Sequence, residues 1–232
     1  MKALLRRWLL PENEGHRHRW VRQQLACLPS GQRLLDAGCG TQPYRADCAH
    51  LSYEAQDFGQ YTGQGGDEAL HDGQVWHYGK LDYTGDIWQI AAPAARFDAI
   101  LCTEVFEHIP YPIETLAEFS RLLKPGGVAL LTVPVNCIPH QTPYFFTAGL
   151  SKEWYEFFAA KFGLEVMEYR TYSGAANFLA QELIRLVGSL GGVQKLLVGV
   201  AVLPFLLLRP FLRHVPEYPC IGAFIKLRKL PK

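Results

Sequence analysis

Apolar residues recur along this chain with two periods, and the changes of period mark its elements. Leu4, Leu5, Trp8 and Leu9 fall at helical intervals with Arg6 and Arg7 on the other side, so a short amphipathic helix is expected ahead of Pro11. A second helix is expected over 14–28, closed by Pro29-Ser30-Gly31. Short apolar runs then alternate with helical patterns. Strands are expected at 33–38 (RLLDAG), 52–57 (SYEAQD), 77–82 (HYGKLD), 97–103 (FDAILCT), 128–134 (VALLTVP) and 164–171. Between them the sequence predicts a helix starting at Pro43 and a helical turn at Asp86. It also predicts helices over 112–123 and 151–162, the former with Ile113, Leu116 and Phe119 on one face. This alternation predicts an α/β fold: a Rossmann-like, doubly wound, mostly parallel sheet with helices on both faces.

Three stretches break the rhythm. Residues 58–76 are polar and rich in glycine, which predicts a long surface loop. Residues 196–208 form an unbroken apolar run of 13 residues between Lys195 and Arg209. A spanning helix takes about 20 apolar residues and Pro204 interrupts the run, so a membrane crossing is not expected. The run is expected within an apolar helical insertion over 174–215, serving as packed core or lid, or as a peripheral contact with lipid through 190–213. The final segment, 218–228, reads as an antiparallel edge strand. The 232 residues thus divide into N-terminal helices (1–30), a core (32–171), the insertion and a last strand, all within one domain.

Composition narrows the partners. With 49% hydrophobic and 19% charged residues the chain is globular, and a formal charge of +1 supplies no field to attract nucleic acid. A nucleic-acid substrate is therefore not expected. The cysteines, among them Cys39, form no C-x-x-C pair and read as reduced, packed thiols. With no secretory leader visible, the expected location is cytoplasmic, with membrane association as the alternative.

The chemistry is concentrated at the ends of the expected strands. Asp36-Ala37-Gly38-Cys39-Gly40 places an acid at the tip of a buried strand that runs into two glycines, where a ligand can approach the backbone. A dinucleotide fingerprint would require glycine at 43, which is Pro43, so a nicotinamide-dependent oxidoreductase is the weaker alternative. The second strand ends in Asp57, 21 residues after Asp36, where a carboxylate can hold a ribose diol. The third strand ends in Asp82-Tyr83, with an acid to accept from an adenine amine and a ring to stack.

These motifs, continued by FDAILCTEVFEHIPYP and LLKPGGVALLTVP, resemble the class I S-adenosylmethionine-dependent methyltransferases, most closely the group called methyltransferase type 11. The resemblance covers residues 32–135 and, more loosely, 151–171. It implies S-adenosyl-L-methionine as cofactor and S-adenosyl-L-homocysteine as product. It implies that Asp36, Gly38, Cys39 and Gly40 form the loop under the methionine part, and that Asp57 binds the ribose. Asp82 and Tyr83 would form the adenine pocket, with Thr103 and Glu104 the wall beside the methionine. Many relatives carry a third glycine where this chain has Gln42, so the loop must close differently.

A hydroxyl acceptor needs a base that titrates near neutrality, and His108 and His140 are the candidates, with Glu107 expected to order the turn. No metal site is expected, because neither His16 with His18 nor Cys137 with His140 has a second ligand pair at suitable spacing. The apolar tail favours a lipid-like, lipid-linked or membrane-bound glycan acceptor over a hydrophilic small molecule. A non-catalytic cofactor-binding partner subunit remains the alternative to an enzyme.

Overall fold

The computed structural model describes residues 13–62, 76–212 and 215–231. The helix expected at 4–10 and most of the glycine-rich loop lie outside these residues.

In chain order the elements are α1 (Asn13–Ala26), β1 (Arg33–Ala37), β2 (Ser52–Asp57), β3 (Tyr83–Thr84) and β4 (Phe97–Thr103). They continue with α2 (Pro112–Leu122), β5 (Leu123–Pro134), α3 (Lys152–Lys161) and β6 (Leu164–Tyr172). The chain closes with α4 (Ala175–Ser189), α5 (Gly192–Leu208) and β7 (Gly222–Lys229). The strands form one seven-stranded sheet in the order β3-β2-β1-β4-β5-β7-β6. The first five strands are parallel, and β7 runs antiparallel to both its neighbours. The α/β architecture expected from the pattern is therefore present. The last strand is not at an edge: β7 sits between β5 and β6, and β6 is the outer strand. Its segment GAFIKL is apolar on both sides, with Ala223, Phe224, Ile225 and Leu227 all buried, as suits an interior strand.

Each face of the sheet has its own core. On one face α1 lays Trp20, Val21 and Leu25 over Leu34, Ala99 and Leu101, and the Trp20 ring stacks on Phe224 at 4.9 Å between centroids. On the other, Leu116, Phe119 and Leu122 of α2 and Tyr155 and Ala159 of α3 cover Leu35, Ile100 and Leu131. The i, i+3, i+6 spacing of the α2 residues makes that single buried stripe. Ser151 starts α3 by accepting the Trp154 N–H at 3.3 Å.

Two expected elements are changed. After Pro43 there is no α-helix, only a 3₁₀ turn over Arg45–Cys48. The third strand is the two residues Tyr83–Thr84 rather than 77–82. Asp82 Oδ2 accepts the Ala55 N–H at 2.9 Å, so a side chain fills the ladder position that a backbone carbonyl would take, and regular pairing starts with the Asp82 N–H, which donates to the Ala55 carbonyl at 2.9 Å.

Outside this sandwich, α4 and α5 form a hairpin around the small cluster Ala180, Val202 and Leu206.

Candidate active site

The strand order reverses between β1 and β4, and the crevice outside their carboxyl ends is where open α/β sheets bind ligands. A cavity of about 790 Å³ opens there.

Its floor is the turn after β1. Gly38 has φ +70°, and a Cβ there would lie 2.6 Å from Val105 Cγ2, so glycine is required on both counts. Gly40 also has positive φ, +51°. Its N–H donates to Asp57 Oδ2 at 2.9 Å, while the Gly59 N–H donates to Asp57 Oδ1 at 3.0 Å. One carboxylate thus holds two backbone segments together. Burial raises the Asp57 pKa, and the N–H groups of Gly59, Gly40 and Phe58 with the Tyr78 hydroxyl oppose the rise. At the position of the missing third glycine, Gln42 adopts φ +58°. Its side-chain amide donates to the Lys80 carbonyl at 2.9 Å and accepts from Arg45 at 2.7 Å, bonds that offset the cost of a left-handed conformation. That is how the loop closes without glycine.

Asp36 lies beneath this floor, fully buried, and accepts the Tyr53 hydroxyl at 2.7 Å. Burial, with a smaller contribution from the Asp57 charge, pushes its carboxyl up to about 7, against the bond from Tyr53. The folded state therefore holds this proton more tightly than the unfolded chain. Its contribution to stability is complete below about pH 4 and is lost as pH rises through about 7. Thermal melts should show Asp36→Asn becoming more stable relative to wild type across that window, by on the order of 2–4 kcal/mol at the top of it. Parallel pH curves for the two proteins would disprove this ionisation behaviour.

Asp82 and Tyr83 do not reach the cavity. Asp82 is bound to the backbone of β2, and the Tyr83 hydroxyl donates to Glu54 Oε2 at 2.7 Å while its ring packs against the core beside Phe97. The wall where an adenine pocket was expected is built instead by Asp86, Ile87 and Trp88. Sequence reasoning took Asp86 only as the start of a turn. A signal was available, since Asp86 precedes an apolar-aromatic pair that helical spacing does not explain.

The opposite wall comes from the end of β4 and the loop after β5. Thr103 and Glu104 line it as expected. Glu104 has φ +53°, and its Oε2 pairs with Arg17 at 3.3 Å. His108 and His140 are brought together, their ring centroids 4.7 Å apart. His108 Nδ1 is 2.6 Å from the Tyr144 carbonyl, and His140 Nδ1 is 2.9 Å from the Ile138 carbonyl. A carbonyl only accepts, so each Nδ1 carries a proton, and in the neutral ring each Nε2 is an acceptor. Glu107, the residue before His108, has its Oε1 at 3.6 Å from His108 Nε2. Its backbone carbonyl accepts the N–H of Phe146 at 2.8 Å, which ties the loop after β5 to the turn after β4.

The roof was not foreseen. Arg17 enters from α1, where the motif GHRHRW drew attention only to its histidines. Gln181 and Arg185 enter from α4, at the base of the apolar hairpin. Asn13 links the two helices, donating to Gln181 Oε1 at 2.6 Å. The α1 pair and the α4 pair are far apart in sequence, 168 positions from Asn13 to Gln181, and no local pattern joins them.

A family model described as a methyltransferase domain matches residues 4–169. The chain belongs to that family, the class I S-adenosylmethionine-dependent methyltransferases. Among curated relatives, a protein of Mycolicibacterium smegmatis named a probable S-adenosylmethionine-dependent methyltransferase is 32% identical over 119 residues, 51% of this chain and 44% of that one. The ubiquinone biosynthesis O-methyltransferase of Leptothrix cholodnii is 28% identical over 155 residues, 56% of this chain and 58% of that one. The chain spans about half the length of the curated relatives it matches. In structure it is similar to Haemonchus contortus phosphoethanolamine N-methyltransferase 2 bound to S-adenosyl-L-methionine, at TM-score 0.56 and 16% identity. That match covers 93% of this chain and 53% of the other. It shares the fold.

The residues present fit the family's cofactor. Asp57 offers an acceptor-only group suited to a diol, and the raised pKa of Asp36 would fall under a cation placed above the floor. The cavity volume lies in the range of ligand sites.

Proposed function

We propose that this protein transfers a methyl group from S-adenosyl-L-methionine to a hydroxyl oxygen of an apolar, membrane-resident small molecule. The observation that carries this reading is the continuity of the cavity. Its cofactor floor at Gly38, Gly40 and Asp57 runs into the wall of Glu104, His108 and His140, and the roof above is the base of the apolar hairpin. The cofactor supplies an electrophilic methyl on a positive sulfur. The chain supplies alignment and a destination for the acceptor's proton, and the Nε2 acceptors of His108 and His140 are the candidate bases. Oxygen as the methylated atom agrees with the O-methyltransferase named among the relatives.

The membrane part of the reading rests on the hairpin. Val193 is 71% exposed and Leu196 66%, on α5 outside its cluster with α4, and Phe211 in the 3₁₀ turn that follows is 67% exposed. Helical residues Gly192–Phe211 number 20, so the helix is longer than the apolar run implied. By length and composition it is the one candidate span among the described residues, only 6% of its apolar window being buried. No acid occurs between Glu182 and Glu217, while Arg185, Lys195, Arg209 and Arg213 are basic. Apolar flanks with cations at the margin suit a helix lying in an anionic lipid interface. The cavity itself does not extend to 190–213; it reaches the hairpin only at Gln181 and Arg185.

The test is release of S-adenosylhomocysteine with a prenylated phenol in phosphatidylglycerol vesicles, compared with the same phenol lacking its tail. The prenylated acceptor should show at least a roughly tenfold higher kcat/KM, equivalent to about 1.4 kcal/mol. Replacing Leu196 and Val200 by glutamate should abolish that advantage and the protein's flotation with the vesicles. Equal turnover without flotation would discard the lipid acceptor. Cofactor binding with no release from any hydroxyl acceptor would favour a non-catalytic partner subunit.

A further inference from the structure

We propose that Glu107, His108 and His140, with Glu104 beside them, form a binding site for one divalent cation of the borderline first-row kind, zinc or manganese. The inference deepens the hydroxyl-acceptor reading and rests on it only for the cation's use, not for its binding.

The ligand atoms of Glu107, His108 and His140 all lie within 4.8 Å of one another. Atoms sharing an ion at about 2.1 Å stand roughly 3.4 Å apart, so closure needs a contraction of little more than an ångström, within reach of side-chain rotation. The set was invisible in sequence because its third member stands 32 positions beyond the adjacent pair, on a different loop.

Both imidazoles are prepared as ligands. Each hands its Nδ1–H to a backbone carbonyl, of Tyr144 and of Ile138, which leaves Nε2 as the coordinating atom and fixes the ring. This outer partner is the usual companion of a metal-bound histidine. His108 Nε2 and Glu107 Oε1 face each other at 3.6 Å, a pair that a shared proton or a cation would bridge.

The carboxylates give the independent sign. Glu107 is 2% exposed, and its Oε2 has no hydrogen-bond partner; Glu104 Oε1 has none either. A buried carboxylate oxygen without a donor costs free energy that a protein ordinarily avoids. The nearest counter-charge in the site, Arg17, is engaged with the other oxygen of Glu104. Two imidazole nitrogens with carboxylate oxygens make a mixed donor set that suits zinc or manganese better than magnesium, which prefers oxygen throughout.

The site lies in the cavity wall where the acceptor hydroxyl would sit. A hydroxyl coordinated there loses its proton to solvent at a lower pH than a free one, so the histidines would act as ligands and not as bases.

The experiment is calorimetric titration of the purified full chain with zinc chloride and with manganese chloride, in the absence of acceptor. Wild type, Glu107→Gln and His140→Ala are compared, and S-adenosylmethionine affinity is measured on each as a check of fold. We expect one cation per chain in wild type and a loss of at least about a hundredfold in affinity in both variants. Cofactor affinity should change by less than about threefold. Glu107→Gln keeps shape and removes only the ligand charge, so a merely structural glutamate would leave binding as it was. Cation binding that is absent in wild type, or unchanged in the variants, overturns the proposal. Neither result bears on methyl transfer, which is read separately by S-adenosylhomocysteine release.

Discussion

Asp57→Ala should reduce affinity for S-adenosylmethionine by at least about a hundredfold, the value of two charge-assisted hydrogen bonds to a diol. The same carboxylate accepts the N–H groups of Gly40 and Gly59, so its removal also leaves buried donors without a partner. Each such donor costs about 1–3 kcal/mol, and the melting temperature should fall with the affinity. Asp57→Asn separates the two effects. Its carbonyl oxygen can accept one N–H while its amide opposes the other, so stability should recover in part while affinity does not. Calorimetry with the cofactor and its S-adenosylhomocysteine product, alongside thermal melts, reads both quantities. Unchanged affinity in Asp57→Ala would place the nucleoside elsewhere in the cavity.

Gly38→Ala should be the most destabilising single methyl in the floor. The backbone is at φ +70°, where an L side chain costs about 1–2 kcal/mol, and the new Cβ would meet Val105 Cγ2. Together these predict a loss of about 3 kcal/mol, or a melting temperature lower by roughly 6–12 °C for a chain of this size. The steric share can be isolated. Val105→Ala in the Gly38→Ala background should restore about 1–2 kcal/mol in a double-mutant cycle, leaving the conformational share in place. Additive effects of the two substitutions would mean that Val105 moves aside freely and that the glycine answers to φ alone.

These two positions were legible because their signals are local. A glycine turn after a buried strand, and an acid at the tip of the next one, follow from what one segment must do by itself. The sheet was legible for the same reason: parallel strands buried on both faces read as short apolar runs, and α2 shows its face in a stripe of leucine and phenylalanine. Where a tertiary partner competed, the local reading failed. The 77–82 segment, HYGKLD, lost a ladder position to the Asp82 side chain, which moved β3 onward and left Asp82 and Tyr83 outside the cavity lining. Gln42 took the left-handed turn of a glycine because Lys80 and Arg45 anchor its amide, and no helix followed. The last strand looked like an edge because its sequence cannot say which neighbours it will have.

The sequence by itself determined the class of fold, the glycine floor and the acid at Asp57, since periodicity and backbone sterics act over a few residues. Only the tertiary structure decided that Arg17 from α1 and Gln181 and Arg185 from α4 roof the cavity, that Asp86 replaces Asp82 in its wall, and that His140 meets Glu107 and His108. The physical reason is distance along the chain. Those contacts exist because the sheet closes segments far apart in sequence around one crevice, and neither hydrophobic period nor turn chemistry carries information over that separation.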